Sequence, residues 1–226
     1  MKKFLLISLI AIANVTFSNA QKFDRNDFCT VSPKLSGYLE LSGSMSGQHE
    51  MLLFEPAEGM KLSPVTGGAA LDGVIGCRLN KFIFVGGGTG VRFTINTMDN
   101  KSLDVHGRVT NLHVPLFADA RFFFPISAKS LFPYIEVSVG PSLWIYQRIS
   151  ASQNKGGFDE VERTIGDEKD NPLNIPTKHA FFAFFRVNTG IEVGRFTCGV
   201  GYELRGNNDY TTNYGFLKIG IRLGKI

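Results

Sequence analysis

The amino-acid sequence predicts an all-β chain, an eight-stranded antiparallel transmembrane β-barrel with short periplasmic turns and longer extracellular loops. Three observations carry this reading. Several segments alternate apolar and polar residues over lengths that suit tilted membrane strands, the connections between them alternate long and short, and the polar faces hold acids and bases in near balance. A strand exposes successive side chains on opposite faces, so this alternation fits strands, whereas a helix would scatter the charges around its axis.

The first twenty residues read as a secretory signal: Lys2 and Lys3, an apolar run from Phe4 to Phe17, then Ser18 and Ala20 at the spacing a signal peptidase reads, with cleavage before Gln21. That run, about fourteen residues, is too short to cross a bilayer as a helix. Residues 21–33 are then expected as a periplasmic N-terminal extension and 34–226 as the barrel. Removing Lys2 and Lys3 takes the 24 basic residues to 22 against 20 acidic ones, a balance without the basic excess of a nucleic-acid binder. Aromatic content of 12% and 25 glycines accompany the absence of any apolar run long enough for a membrane helix.

The strands are expected at 34–45, 65–79, 82–95, 108–124, 132–149, 180–193, 196–206 and 212–223. Tyr214 to Leu223 shows the pattern most cleanly: Leu217, Ile219, Ile221 and Leu223 share one face, and Lys218, Gly220 and Arg222 the other. The same alternation runs through Leu112–Phe122, Pro133–Ile145 and Phe181–Val193. Connections after odd strands are about 19, 12, 29 and 5 residues, and after even strands about 2, 7 and 2, as outer-membrane barrels show with long external loops and short periplasmic turns. Asn80-Lys81 and Gly194-Arg195 read as the tight hairpin turns.

A membrane barrel is inverted, with apolar residues toward lipid and polar ones toward the lumen. Taken strand by strand, the inward set then contains Glu40; Asp72 and Arg78; Arg92; Asp119 and Arg121; Glu136; Arg186 and Glu192; Glu203 and Arg205; and Lys218 and Arg222. These six acids and seven bases predict a lumen closed by a salt-bridge network, because buried charges are tolerated when paired and hydrogen-bonded. The inward set also places bulk at Phe84, Tyr134, Trp144, Tyr146, Phe182 and Phe184 beside glycines 86, 88, 90, 140, 190, 199, 201 and 220, which lets a narrow barrel fill its interior.

The order of these pieces resembles the small outer-membrane barrels of the OmpA, OmpX and PorT type, the PorT-like family especially. The residues that carry the resemblance are Gly86-Gly-Gly-Thr-Gly-Val-Arg92, Val114-Pro-Leu116, Pro133-Tyr-Ile135 and Gly140-Pro-Ser142, and it covers about residues 34 to 226. It implies a monomeric barrel in the outer membrane serving structural support, adhesion or assistance to secretion. Such barrels usually end in an aromatic residue, where this chain ends Gly224-Lys225-Ile226.

Other constellations have plainer readings. Gly86 to Gly90 lacks the Lys-Ser/Thr of a phosphate-binding loop and continues as a strand through Val91 and Phe93. A lipid-modifying enzyme would need a nucleophile beside a histidine oriented by an acid. Ser102, Asp104 and His106, or Ser44, Ser46, His49 and Glu50, lie close in sequence but have no nucleophile elbow, and His113 and His179 stand near strand ends. They read as solvated loop residues, with no catalytic residue and no cofactor expected. The third external loop carries Asp159, Glu160, Glu162, Asp167, Glu168 and Asp170 against Lys155, Arg163 and Lys169. That spacing matches no calcium loop, so no metal is expected and the loop is the favoured surface for a protein partner. Cys77 and Cys198 are expected to face lipid on non-adjacent strands, and Cys29 to sit in the periplasmic extension as a free thiol, with pairing to another protein as the alternative. The expected role is a non-enzymatic structural or interaction protein of the outer membrane, touching lipid and a protein partner through its loops or turns. The alternatives are a secretion or assembly component, a lipid-modifying enzyme, or a narrow pore.

Overall fold

Alternation becomes architecture in the computed structural model, which describes residues 33–47, 61–100, 105–124, 131–153, 158–164, 181–206 and 211–224. Its strands are β1 (Lys34–Ser46), β2 (Lys61–Arg78), β3 (Ile83–Asn100), β4 (Val105–Phe123), β5 (Leu131–Gln153), β6 (Phe158–Thr164), β7 (Phe181–Val193), β8 (Phe196–Gly206) and β9 (Thr211–Leu223). Eight of them are staves of one antiparallel ring that runs from β1 through β5, then β7, β8 and β9, and closes where β9 pairs with β1. β6 stands outside the ring and pairs with the end of β5, from Tyr146↔Thr164 to Ser152↔Phe158. Among the described residues no helix is long and apolar enough to cross a membrane.

The register fixes the barrel's shape. Stepping from Leu35 to Cys77, Val85, Ala120, Val137, Val187, Tyr202 and Gly215 returns to β1 at Met45, ten residues along from the start. A stagger of ten over eight strands tilts each strand by about 40°, using a rise of about 3.3 Å per residue and a strand spacing of about 4.8 Å. That tilt is the one seen in membrane barrels.

The distribution of side chains is inside-out. Leu35 (68% exposed), Phe196 (69%) and Leu217 (68%) typify an outer surface of aliphatic and aromatic residues, while charged residues occupy the interior. A water-soluble barrel would reverse this, because burying apolar area is its main source of stability. Two connections mark one end of the barrel as the turn end. Between β2 and β3, Asn80 closes the turn by accepting from the main-chain N–H groups of Phe82 and Ile83 at 2.8 and 2.9 Å. Between β7 and β8, Gly194 takes φ +61°, a conformation that suits glycine at a two-residue turn.

Three features depart from the sequence reading. β2 to β5 run further at the loop end, starting at Lys61, ending at Asn100, starting at Val105 and ending at Gln153. There the apolar face stops but the backbone ladder continues, so periodicity cannot mark the end. Next, the stretch read as one long third loop contains β6, so part of it is a hairpin arm rising from β5. Finally, the register slips on β5, where Trp144 pairs with His113 but Tyr146 pairs with Leu112, leaving Ile145 as an extra residue. This bulge reverses the parity beyond it. Tyr146, expected inward, is therefore on the outer side and half-buried, and Gln147 takes the inward place, fully buried. A second irregularity lies between Leu62 and Thr66 of β2, around Pro64, which has no N–H to give to the ladder.

The expected signal peptide, the extension with Cys29, the turn at 125–130, and His49, Glu50, Ser102, Asp104, Lys155, Asp167, Glu168, Lys169, Asp170 and His179 lie outside the described residues.

Candidate functional site

The candidate site is the lumen. All thirteen charged residues assigned inward from the sequence stand there, none more than 8% exposed. They are brought in by the alternation of eight strands, and the stagger of ten sorts them into three layers along the axis.

The lower layer, nearest the turns, centres on Glu192. Its Oε1 accepts from Arg78 Nη1 at 3.2 Å and from Arg222 Nη1 at 2.5 Å, and its Oε2 accepts from the Tyr38 hydroxyl at 3.1 Å. Arg78 also donates to the Lys81 carbonyl at 3.2 Å and lies over the Phe123 ring, 4.1 Å from its centroid. Arg222 donates to the Gly194 carbonyl at 3.0 Å, tying the layer to the β7–β8 turn.

The middle layer gathers three carboxylates around two cations. Arg121 donates from Nη1 to Glu40 and from Nε to Asp119, both at 2.9 Å, and its Nε lies 3.4 Å from Glu136. Its guanidinium stacks on Tyr38 at 3.8 Å from the ring centroid. Lys218 Nζ reaches Glu40 at 2.9 Å and Glu136 at 2.5 Å. Ser138 donates its hydroxyl to Asp119 at 2.8 Å, and Asn188 Nδ2 reaches Glu136 at 3.3 Å.

The upper layer pairs Asp72 and Glu203 with Arg92, Arg186 and Arg205. Asp72 Oδ2 meets Arg186 Nη1 at 2.9 Å and Arg92 Nη2 at 3.4 Å. Glu203 accepts from Arg186 Nε at 3.0 Å and Arg205 Nε at 2.5 Å, and is also paired with Arg92 Nη1. Above it Gln147 donates to Asn111 at 2.9 Å, and His113 sits between the Trp144 and Phe182 rings, with centroids 5.5 and 5.1 Å away.

Aromatic rings fill the space between layers by lying over glycines. A Cβ on Gly88 would stand 2.6 Å from Phe117 Cζ, one on Gly86 2.9 Å from Phe84 Cζ, and one on Gly190 2.8 Å from the Tyr134 ring. The glycine run of β3 is thus a packing surface within a strand, not a phosphate loop. Among the described residues no group of His, Cys, Asp or Glu is placed to hold a metal ion. Buried charges of this kind are tolerated because each stands against an opposite charge.

Sequence reasoning missed the neutral members: Tyr38, Ser138, Asn188, Asn111 and Gln147. The first four share the parity of the charged set, and that parity would have identified them. Gln147 could not be found so, because the Ile145 bulge hides it. Cys77 and Cys198 lie on the outer side of β2 and β8 and are unpaired, Cys198 exposed and Cys77 half-buried. His106 is exposed near the start of β4, opposite Asp99. Asp159, Glu160, Glu162 and Arg163 fall on β6.

No family model matches the chain, and no curated protein sequence matches it. Among solved structures it is similar to Ail, the attachment invasion locus protein of Yersinia pestis (11% identity, 85% of this chain and 99% of that one, TM-score 0.42). It is also similar to Neisserial surface protein A (13%, 86% and 99%, TM-score 0.39) and to the N-terminal β-barrel domain of Pseudomonas aeruginosa OprF (13%, 85% and 100%, TM-score 0.34).

Proposed function

We propose that this chain is a non-enzymatic outer-membrane protein whose lumen is a fixed plug and whose work is done by its ends. One observation carries the reading: thirteen charged side chains are buried in the interior while large apolar residues are exposed around the outside. Only a barrel surrounded by lipid gains from that arrangement. The paired layers leave the lumen filled, which favours a structural or interaction role over conduction.

The turn end is the periplasmic end in this reading, as the short connections of exported barrels are. The loop end, facing outside, carries the strands beyond the apolar belt, and there β6 has one strand partner among the described residues. An edge strand offers main-chain N–H and C=O groups to an added strand, and its charged residues keep it from pairing indiscriminately. The β5–β6 arm is therefore the favoured contact for a protein partner, and a secretion or assembly complex is one setting for it.

The test is crosslinking of tagged protein in its own membranes, purification in mild detergent, and mass spectrometry, repeated after deletion of residues 154–164. A stoichiometric companion that disappears with the arm, while the barrel still changes gel mobility on boiling, is the expected result. Companions unchanged by the deletion would refute the arm as the contact.

A further inference from the structure

The two ends of the barrel differ in charge. Toward the loop end the strand sequences carry both signs, with Asp99 on β3 and Asp159, Glu160 and Glu162 on β6, and Lys61 on β2, Arg108 on β4, Arg148 on β5 and Arg163 on β6. At the turn end every charged residue among the described ones is a cation except Glu192. Lys34 opens β1, Arg78 closes β2, Lys81 lies in the β2–β3 turn, Arg195 in the β7–β8 turn, and Arg222 sits near the end of β9. Glu192 is buried and takes both Arg78 and Arg222, so it offers no negative charge to the surface and its layer keeps one positive charge in excess. Lys34, Lys81 and Arg195 are exposed.

These cations form one arc. Strands β7, β8, β9, β1, β2 and β3 are consecutive around the ring. Lys34 is paired with Arg78, and the Arg222 N–H donates to the Arg195 carbonyl at 2.7 Å. The apolar belt begins next to the exposed cations: Leu35 and Phe196 follow Lys34 and Arg195 in sequence on strands that run away from the turn end and are 68% and 69% exposed, and Leu223, the last residue of β9, is 53% exposed. An acyl chain lying on these residues would carry its headgroup phosphate to the height of Lys34 and Arg195.

We infer that this arc binds phospholipids with net-negative headgroups in the leaflet at the turn end. The inference shares with the proposed function only the barrel's membrane placement and is independent of the contact at the other end. A basic residue at a membrane surface favours an anionic lipid by about fivefold, and salt weakens the effect.

Native mass spectrometry of the mature protein in detergent, with equimolar phosphatidylglycerol and phosphatidylcholine of matched chains, reads the preference directly. Wild-type protein should retain phosphatidylglycerol in excess, the excess should fall by about fivefold per cation replaced in K34Q, K81Q and R195Q, and the triple variant should approach parity. R108Q, at the opposite rim, should leave the ratio unchanged. Heat-dependent gel mobility shows that each variant remains a folded barrel. Parity in the wild type, or an undiminished preference in the triple variant, would overturn the inference. Displacement of the lipid by millimolar inorganic phosphate would assign the arc to free phosphate and overturn the lipid as occupant. Retention of neither lipid would overturn the membrane placement as well.

Discussion

Replacing Arg121 with methionine probes the middle layer most directly. Among the described residues Arg121 meets Glu40, Asp119 and Glu136, and Lys218 meets Glu40 and Glu136. In R121M three buried carboxylates would face a single ammonium, and Asp119 would lose its only ion-pair partner among the described residues. Methionine keeps much of the arginine's volume, so the cavity contribution is small and the loss is chiefly that of uncompensated buried charge. Removing one partner of a buried pair typically costs about 3–5 kcal/mol. We expect R121M to fall in the upper part of that range and K218M in the lower part, since lysine leaves no carboxylate wholly without a cation. D119N placed on R121M should recover about 1–2 kcal/mol, because it removes the charge that arginine had neutralised. Urea titration of the detergent-folded protein gives these numbers, read both by gel mobility and by the fluorescence of Trp144, the single tryptophan, which is buried against His113. A loss below about 1 kcal/mol for R121M, or a larger loss for K218M, would refute the layer as described.

Three further outcomes follow from the same geometry. G88A should destabilise the barrel by about 1–3 kcal/mol, because its Cβ would stand 2.6 Å from Phe117 Cζ and 2.8 Å from the Gly73 carbonyl, while G73A, whose Cβ meets nothing nearer than 3.9 Å, should change stability little; equal effects in urea titration would contradict the inward and outward assignment. In intact membranes Cys198 should react with an apolar maleimide and resist a charged one, as expected of an exposed thiol facing lipid, and equal labelling by both would place that face in water. Planar-bilayer recordings should show no steady current through the wild-type barrel, and a steady conductance that rose on replacing Arg121 or Glu136 would favour a pore over a plug.

The sequence made the membership of each face legible because parity survives any connection length. Residues two apart share a face, so Glu40, Asp72 and Arg92 could be assigned to the lumen without knowing which would meet. Parity failed where a single residue was inserted: Ile145 carries no turn signal, and its bulge sends Tyr146 outward and Gln147 inward. β6 stayed hidden for another reason. The sequence Phe158-Asp-Glu-Val-Glu-Arg-Thr164 contains no continuous apolar alternation, so its strand character comes from the ladder with β5 and not from its own pattern.

Partner choice within the lumen depends on something that parity cannot supply. Glu40 and Lys218 are 178 residues apart, and they meet because β9 closes on β1 at a stagger of ten. Sliding one strand by two residues would keep every apolar side chain facing lipid, so the belt cannot distinguish that slip from the native register. The lumen can distinguish it. Moving β4 by two residues would bring either Asp119 or Phe123 to the place of Arg121, leaving Lys218 alone against the carboxylates of the middle layer, at a cost of several kcal/mol per unpaired ion. Because the layers carry net charges of +1, −1 and +1, a displacement in either direction replaces attraction with repulsion. The charges therefore select a register among those that the apolar belt permits, and R121M should lose this selectivity along with stability.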